Sequence, residues 1–309
     1  MAGNAWPALP LAEWENTYAT LHMWSQIVGK VRLALTPRVN HWWNVPFYVT
    51  PRGLTTSAIH YGNRCFEIEF DFIKHQLAIR CDSGVNASLV LAPCPVADFY
   101  RKFTTTLKEL GIEAPIWPVP VEVENPIPFE RDVHNKAYDG NYSNSLWRIL
   151  LQADKVFNEF RARFIGKCSP VHFFWGSFDL AVTRFSGSRA PEREGADAIT
   201  REAYSHEVIS HGFWPGSRAS GATERESSAR GIDAPAFYSY TAPEPQGLSE
   251  ARILPQSAFY SAELKQWILL YDDVRNADSP EQTLLDFMQS TYEAGADLAG
   301  WDRTALERS

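Results

Sequence analysis

The stretch that decides the fold reads Phe66-Glu67-Ile68-Glu69-Phe70-Asp71-Phe72-Ile73. Apolar side chains alternate with carboxylates along it, which is the period of two of a β-strand with one apolar and one acidic face. We interpret the acidic face as the solvated side of a sheet. Segments 77–81 and 87–91 follow, with the turn signal Asp82-Ser83-Gly84 between them, so we expect an antiparallel meander.

Helices are predicted on either side of this meander. Residues 11–29 place apolar side chains at three- and four-residue steps, which predicts an amphipathic helix that ends at Gly29 and is followed by a strand over 31–35. After the meander, Pro95 opens a helix that ends at Gly111. The first part of the chain is therefore predicted as helix, strands and helix.

The rest of the chain shows the same order of elements. A helix is predicted over 143–165, an apolar strand over 171–183 follows it, and a helix over 280–301 closes the chain. Further strands are predicted over 204–212 and 237–241. The fold class is therefore predicted as α+β, with antiparallel sheets packed by helices.

The repeated order of elements suggests how the chain is divided. We predict one domain over 1–309, in which two similar helix–sheet–helix halves, 1–112 and 143–309, are joined by the Pro-rich segment 113–142. An internal duplication and a coincidence of a common layout both remain open. Residues 216–235 lack apolar periodicity, which predicts a mobile surface loop or, alternatively, a lid over an active site.

Charge and composition exclude several classes of partner. The formal net charge is −8 and no stripe of Lys and Arg is present, so we expect no nucleic-acid partner. No run approaches the roughly 18 apolar residues of a membrane span, and the N-terminus lacks the basic and apolar regions of a signal peptide. The four cysteines are scattered without a CxxC pair, which predicts reduced thiols and a cytoplasmic location.

Sequence motifs for common chemistry are absent. There is no glycine-rich nucleotide fingerprint, Walker A motif, GxSxG elbow or HExxH, so no nucleotide or dinucleotide cofactor is expected and the cofactor stays unknown. Aromatic residues make up 13% of the chain, including eleven Trp. This high aromatic content is typical either of a large hydrophobic core or of a small-molecule pocket lined by aromatic rings.

Polar residues that lie among these aromatics are the candidates for a site. In the apolar segment 171–183, His172 and Asp179 are candidate catalytic residues and Trp175 is a candidate pocket wall. Two interpretations of Arg184 are open. It forms a structural ion pair with Asp179 at the end of the strand, or it binds an anionic group of a ligand.

Histidines elsewhere enlarge this set. His206 and Glu207 are candidate catalytic residues in the segment 204–212. The other candidate ligand-binding residues are mainly aromatic: His41, Trp42, Trp43 and Trp214. Imidazole suits first-row metals, so a metal cofactor is conceivable, although nothing in the spacing requires one. Its candidate ligands are the histidines of four separate elements: His41, His75, His172 and His206.

Several of these residues lie in longer sequence motifs, such as Asn40-His41-Trp42-Trp43 and the run Val171-His172-Phe173-Phe174-Trp175-Gly176-Ser177-Phe178-Asp179. Further motifs cover 21–33, 70–75, 169–187, 202–207 and 212–216. Together they resemble a bacterial family catalogued as a domain of unknown function, DUF5996, over essentially the whole chain. The resemblance implies a cytoplasmic bacterial protein with one family-wide domain. It implies no activity, cofactor or catalytic residue.

Three functional hypotheses follow from the sequence. The preferred one is a small-molecule enzyme with a pocket lined by Trp and His side chains between the two sheet-bearing halves. A second is a non-catalytic ligand-binding or regulatory module. A third is an interaction scaffold whose exposed Trp patch forms the interface of a homo-oligomer, because Trp is enriched in interface hot spots.

Overall fold

The structure, a computed structural model, describes residues 5–196, 198–216 and 232–308. In the described part of the chain, the helices are α1 (Leu11–Leu35), α2 (Val96–Glu109), α3 (Gly140–Ala162), α4 (Ala198–Ala203), α5 (Tyr271–Arg275), α6 (Pro280–Leu298) and α7 (Arg303–Leu306). The strands of the first half are β1 (Tyr48–Val49), β2 (Gly53–Thr55), β3 (Ile59–Tyr61), β4 (Arg64–Asp71), β5 (Gln76–Cys81) and β6 (Asn86–Val90). The strands of the second half are β7 (His172–Phe174), β8 (Asp179–Arg189), β9 (His206–Trp214), β10 (Ala236–Ala242), β11 (Phe259–Ser261) and β12 (Gln266–Leu270).

The described strands form two antiparallel sheets of six strands each, which confirms the predicted α+β class. The first sheet has the order β1-β2-β4-β5-β6, with β3 also paired to β4. Its register places Phe66 opposite Cys81 and Leu77 opposite Leu89, so the predicted meander is confirmed. The second sheet has the order β11-β12-β10-β9-β8-β7, and its strands β11 and β12 had no counterpart in the prediction.

Two of the three carboxylates on the acidic face of β4 are buried and only Glu67 is partly exposed, so the interpretation of this face as the solvated side of a sheet was wrong. Glu69 and Asp71 are only 4% and 1% exposed. Glu69 accepts hydrogen bonds of 2.7 Å from Arg80 on β5 and from Thr50. Asp71 accepts one of 2.7 Å from Arg52, in the turn before β2. Arginines from neighbouring segments therefore neutralise two carboxylates that a lone strand would leave in water.

The predicted strand over 171–183 is instead a hairpin. Strand β7 ends at Phe174, residues 175–178 form a turn, and β8 begins at Asp179, with Phe173 opposite Leu180. Phe178 takes a left-handed backbone conformation, with φ of 59°. The turn reverses the chain inside the apolar run, so Trp175 and Asp179 do not lie on one continuous strand.

Helix α1 does not end at Gly29 but continues to Leu35, so the predicted strand over 31–35 was also wrong. A Cβ atom on Gly29 would lie 2.4 Å from the indole of Trp175, which makes this glycine a packing position and not a helix stop. Every residue of 20–32 is buried. The helix is therefore a central element enclosed on all sides and is not amphipathic in this stretch.

The two sheets touch at one edge. Phe47, just before β1, and Phe173 on β7 exchange two backbone hydrogen bonds of 2.8 and 2.7 Å. A single hydrophobic cluster contains side chains of both sheets. In the described part of the chain, no helix combines the length and the apolar character that a membrane crossing requires. The division into two similar halves stays a prediction.

The Pro-rich segment packs along α1. Gln26 donates to the carbonyl of Val121 and accepts from its amide, both at 2.8 Å. Residues 217–231, the greater part of the predicted mobile loop, lie outside the described residues.

Candidate functional site

Three segments of the chain meet at an open cleft of about 550 Å³. They are the residues after α1, the far end of the β8–β9 strand pair, and the short helix α4. The cleft is lined by Arg38, Asn40, His41, Arg189, Ala198, Arg201, Glu202, Ser205 and His206. Two of the histidines singled out in the sequence, His41 and His206, are therefore brought to one place.

A tight turn directs His41 toward the cleft. His41 lies in the 3-10 turn Asn40–Trp42 and has a φ of 57°. The turn is fastened to the end of α1, because Arg32 donates to the carbonyl of Asn44 at 2.7 Å. The side chain of Asn44 in turn accepts a hydrogen bond from the amide of Val39 at 3.2 Å. This local network holds a left-handed residue that an isolated chain disfavours.

The two histidines form a cluster with Lys167. The rings of His41 and His206 are 5.5 Å apart, and the Nζ atom of Lys167 lies 2.7 Å from Nε2 of His41. Burial, and next the charge of Lys167, lower the pKa of His41. Burial, Lys167 and Arg189 lower the pKa of His206. Both imidazoles are therefore neutral at neutral pH and able to accept protons.

Arginines make the cleft strongly basic. Arg189 lies directly opposite His206 across the β8–β9 pair, after a register shift in β8. Arg201 projects from α4. The guanidinium of Arg38 lies 4.3 Å from the ring centre of Trp42 and forms an ion pair with Glu202. Glu202 is the one carboxylate among the described lining residues. The cleft therefore carries a net positive charge within an acidic chain.

His172 and Trp43 lie behind this cleft. The ring of Trp43 is 5.4 Å from that of His41 and 6.4 Å from that of His172. His172 is buried, and its burial lowers its pKa to about 3. Its Nδ1 has no hydrogen-bond partner in the described part of the chain. His172 is thus a neutral imidazole separated from the cleft by an indole.

Asp179 and Arg184 do not form the ion pair that one reading of the sequence anticipated. They are five positions apart on β8, so their side chains lie on opposite faces of the strand. Asp179 is buried, accepts hydrogen bonds from Ser177 and from Tyr238, and has its pKa raised by burial. Arg184 is 1% exposed and donates to the carbonyl of Phe160 in the core.

The remaining candidates are dispersed. Trp175 donates to the carbonyl of Val45 at 2.9 Å inside the core, and Glu207 accepts from Ser186 at 2.7 Å. Trp214 is half-buried at the end of β9. His75 bonds the hydroxyl of Tyr138 at 2.9 Å and belongs to another part of the surface. In the ranges that the structure describes, no three His, Cys, Asp or Glu side chains lie close enough to hold a metal ion.

The cations at this site were not predicted from the sequence. Arg38, Arg189 and Arg201 line the cleft, and Lys167 contacts its residue His41. None of them carries a local signal, because an isolated lysine or arginine in a polar segment is ordinary surface composition.

The comparisons with known proteins agree with the resemblance seen in the sequence. Residues 6–308 match the family of unknown function DUF5996, and the chain belongs to this family. No curated protein and no solved structure matches the chain.

Proposed function

We propose that the chain binds a small anionic molecule in the cleft and that His41 and His206 act on it as acid–base groups. The observation that carries the proposal is the convergence of three arginines and two histidines on one cleft in a protein of net charge −8. Clustered guanidinium groups bind carboxylates and phosphates through paired hydrogen bonds. The ligand class is therefore a phosphate or a carboxylate compound.

The state of the histidines supports an enzyme over a simple anion trap. Because their pKa values are lowered, they are neutral before the ligand binds. A bound anion stabilises the imidazolium form, so binding raises both pKa values toward the range in which a histidine exchanges protons efficiently. The adjacent indole of Trp42, half-buried under Arg38, offers an apolar surface to the rest of the ligand.

Binding is tested by titration with inorganic phosphate in a calorimeter. Replacing Arg189 by Gln, together with Arg201 by Gln, is expected to weaken binding at least tenfold, since each charge-assisted hydrogen bond contributes about 1.5–3 kcal/mol. The matched control is Arg163→Gln, directly after α3 on the protein surface, where Arg163 is paired with Glu159 at 2.9 Å. Equal affinity of the two variants, or no saturable binding by the wild type, would contradict the proposal.

Catalysis is tested separately. The wild type is incubated with a mixture of phosphorylated metabolites and followed by phosphorus NMR. We expect conversion of at least one compound, and the variant His41→Gln/His206→Gln is expected to bind phosphate but to convert nothing. Binding without any conversion by the wild type would assign the cleft to a non-catalytic binding module.

A cytoplasmic location belongs to the same proposal. The cysteines Cys65, Cys81, Cys94 and Cys168 are all free thiols, and burial raises the pKa of Cys168 to about 11. Thiols of this kind suit a reducing compartment. Localisation of a tagged protein in its native host, by fractionation, tests this point.

A further inference from the structure

Lys167 occupies an unusual position for a surface lysine. Its backbone is held where α3 gives way to the second sheet, because the amide of Phe185 donates to its carbonyl at 3.0 Å. Its Nζ atom lies 2.7 Å from Nε2 of His41, 4.7 Å from the ring centre of Phe185 and 5.4 Å from that of Trp43. The side chain is exposed, so solvent and small molecules reach it.

The neighbours of Lys167 leave its charge uncompensated. No carboxylate of the described residues lies within ion-pair distance of its Nζ atom. The titratable groups coupled to it electrostatically are His41 and His206, and both are neutral at neutral pH. Two aromatic rings displace water from one side of the amine. Burial accordingly lowers the pKa of Lys167, as expected for a partly desolvated amine.

This environment differs from that of an ordinary lysine on the same protein. The ammonium group of Lys155 on α3 is exposed and bonds both carboxylate oxygens of Glu281 at 2.7 Å. Lys155 is therefore a matched internal control for Lys167.

We infer that Lys167 is a nucleophile that forms an imine with a carbonyl compound bearing a phosphate or carboxylate group. The inference rests on the proposed function, since the arginines of the cleft would hold that anionic group. His41 is placed to take a proton from the ammonium, because its Nε2 already faces Nζ. A lysine with depressed basicity next to an imidazole base is the arrangement that Schiff-base chemistry requires.

The neutral amine of Lys167 adds to the carbonyl carbon, so a C–N bond forms and the carbonyl π bond breaks. A proton moves from nitrogen to oxygen through His41, which gives a carbinolamine. Loss of one water molecule breaks the C–O bond and leaves the imine, without any oxidant or reductant.

The test uses pyridoxal 5′-phosphate as a probe that carries an aldehyde and a phosphate, with sodium cyanoborohydride to trap the imine. Peptide mapping by mass spectrometry then measures the labelling of each lysine at pH 7. Lys167 is expected to react several-fold faster than Lys155, because burial lowers the pKa of Lys167 and the arginines of the cleft hold the phosphate of the probe. Unphosphorylated pyridoxal is expected to label Lys167 more slowly than the phosphorylated probe.

Variants separate this inference from the proposed function. Lys167→Arg keeps the positive charge, so it is expected to bind inorganic phosphate like the wild type while losing the labelled site. His41→Gln is expected to slow labelling of Lys167 without changing that of Lys155. Labelling of Lys167 no faster than of Lys155 would overturn the inference even where phosphate binds. Fast labelling that is equal for both probes would support the nucleophile and contradict the anion site.

Discussion

The strand pair β8–β9 carries the same two residue types at two places. In its middle, Arg184 and His211 are buried in the core against α3 and α6. At its far end, Arg189 and His206 line the open cleft. The ring of Phe160 contacts both buried residues, with its centre 3.4 Å from the guanidinium carbon of Arg184 and 4.7 Å from the His211 ring centre.

The comparison of these two Arg–His pairs shows how burial changes the pKa and the accessibility of the same side chains. Burial lowers the pKa of Arg184 to about 10 and that of His211 to about 3. Both buried groups have partners within the protein, since His211 bonds Thr291 at 3.0 Å and Arg184 donates to the carbonyl of Phe160 with its guanidinium among aromatic rings. At the cleft, Arg189 and His206 remain accessible to a ligand. An Arg–His combination therefore indicates a site only where the fold leaves it accessible.

The largest contrast is expected in stability. Arg184→Ala is expected to lower the free energy of unfolding by about 3–5 kcal/mol, because it leaves a cavity between Phe160 and Tyr292 and an unpaired carbonyl. Arg189→Ala at the open end is expected to stay within about 0.5 kcal/mol of the wild type. Urea unfolding of both variants measures the difference. If both variants lost similar free energies of unfolding, burial would not distinguish Arg184 from Arg189.

A second contrast is expected in the pH dependence of stability. The pKa of His211 is about 3 in the folded protein and about 6.5 when unfolded, so the unfolded state takes up the proton first as pH falls. Its contribution to stability is complete above pH 6.5 and is lost between pH 6.5 and 3, by about 1.4 kcal/mol per pH unit. His211→Gln should reduce this slope in urea unfolding at pH 6.5, 5.5 and 4.5. An unchanged slope would show that His211 is charged in the native state.

The smallest expected effect concerns the affinity of the cleft for anions. Sulfate keeps its double charge across this range, and its affinity should rise as pH falls from 7 toward 5.5, because His206 becomes an imidazolium beside the bound anion. The rise should be at most about tenfold, or 1.4 kcal/mol. His206→Gln should flatten it, whereas His211→Gln should leave it unchanged in calorimetric titrations. If His211→Gln alone flattened the pH dependence of sulfate affinity, His211 and not His206 would be the histidine that interacts with the anion.

Much of the fold was predictable because local patterns carried it. The alternation along β4 predicted a strand and its meander, and the helices α2, α3 and α6 were predicted from periodicity and from boundary residues such as Pro95. The incorrect predictions concern positions whose structure depends on residues far away in the sequence. Gly29 marks the place where an indole crosses a helix, and the buried carboxylates of β4 depend on arginines from other segments.

The site was predictable only in part. His41 and His206 stood out as histidines among aromatics, but their proximity depends on how the turn after α1 packs against the end of β9. Lys167 and Arg189 gave no periodic or motif signal, since their role comes from what surrounds them in space. His172 had the same local context as His41 and yet lies behind an indole. Sequence context alone does not distinguish these two histidines.

The enclosure of α1 also bears on how the protein is made. The helix is synthesised early, whereas its partners come much later: Trp175 covers Gly29, and the carbonyl of Gly176 bonds His22 at 2.8 Å. Until the hairpin of β7 and β8 leaves the ribosome, the surface of this helix around His22 and Gly29 stays uncovered in the nascent chain. Nascent chains that stop short of this hairpin are therefore the ones that holding chaperones should bind, and release should follow its emergence.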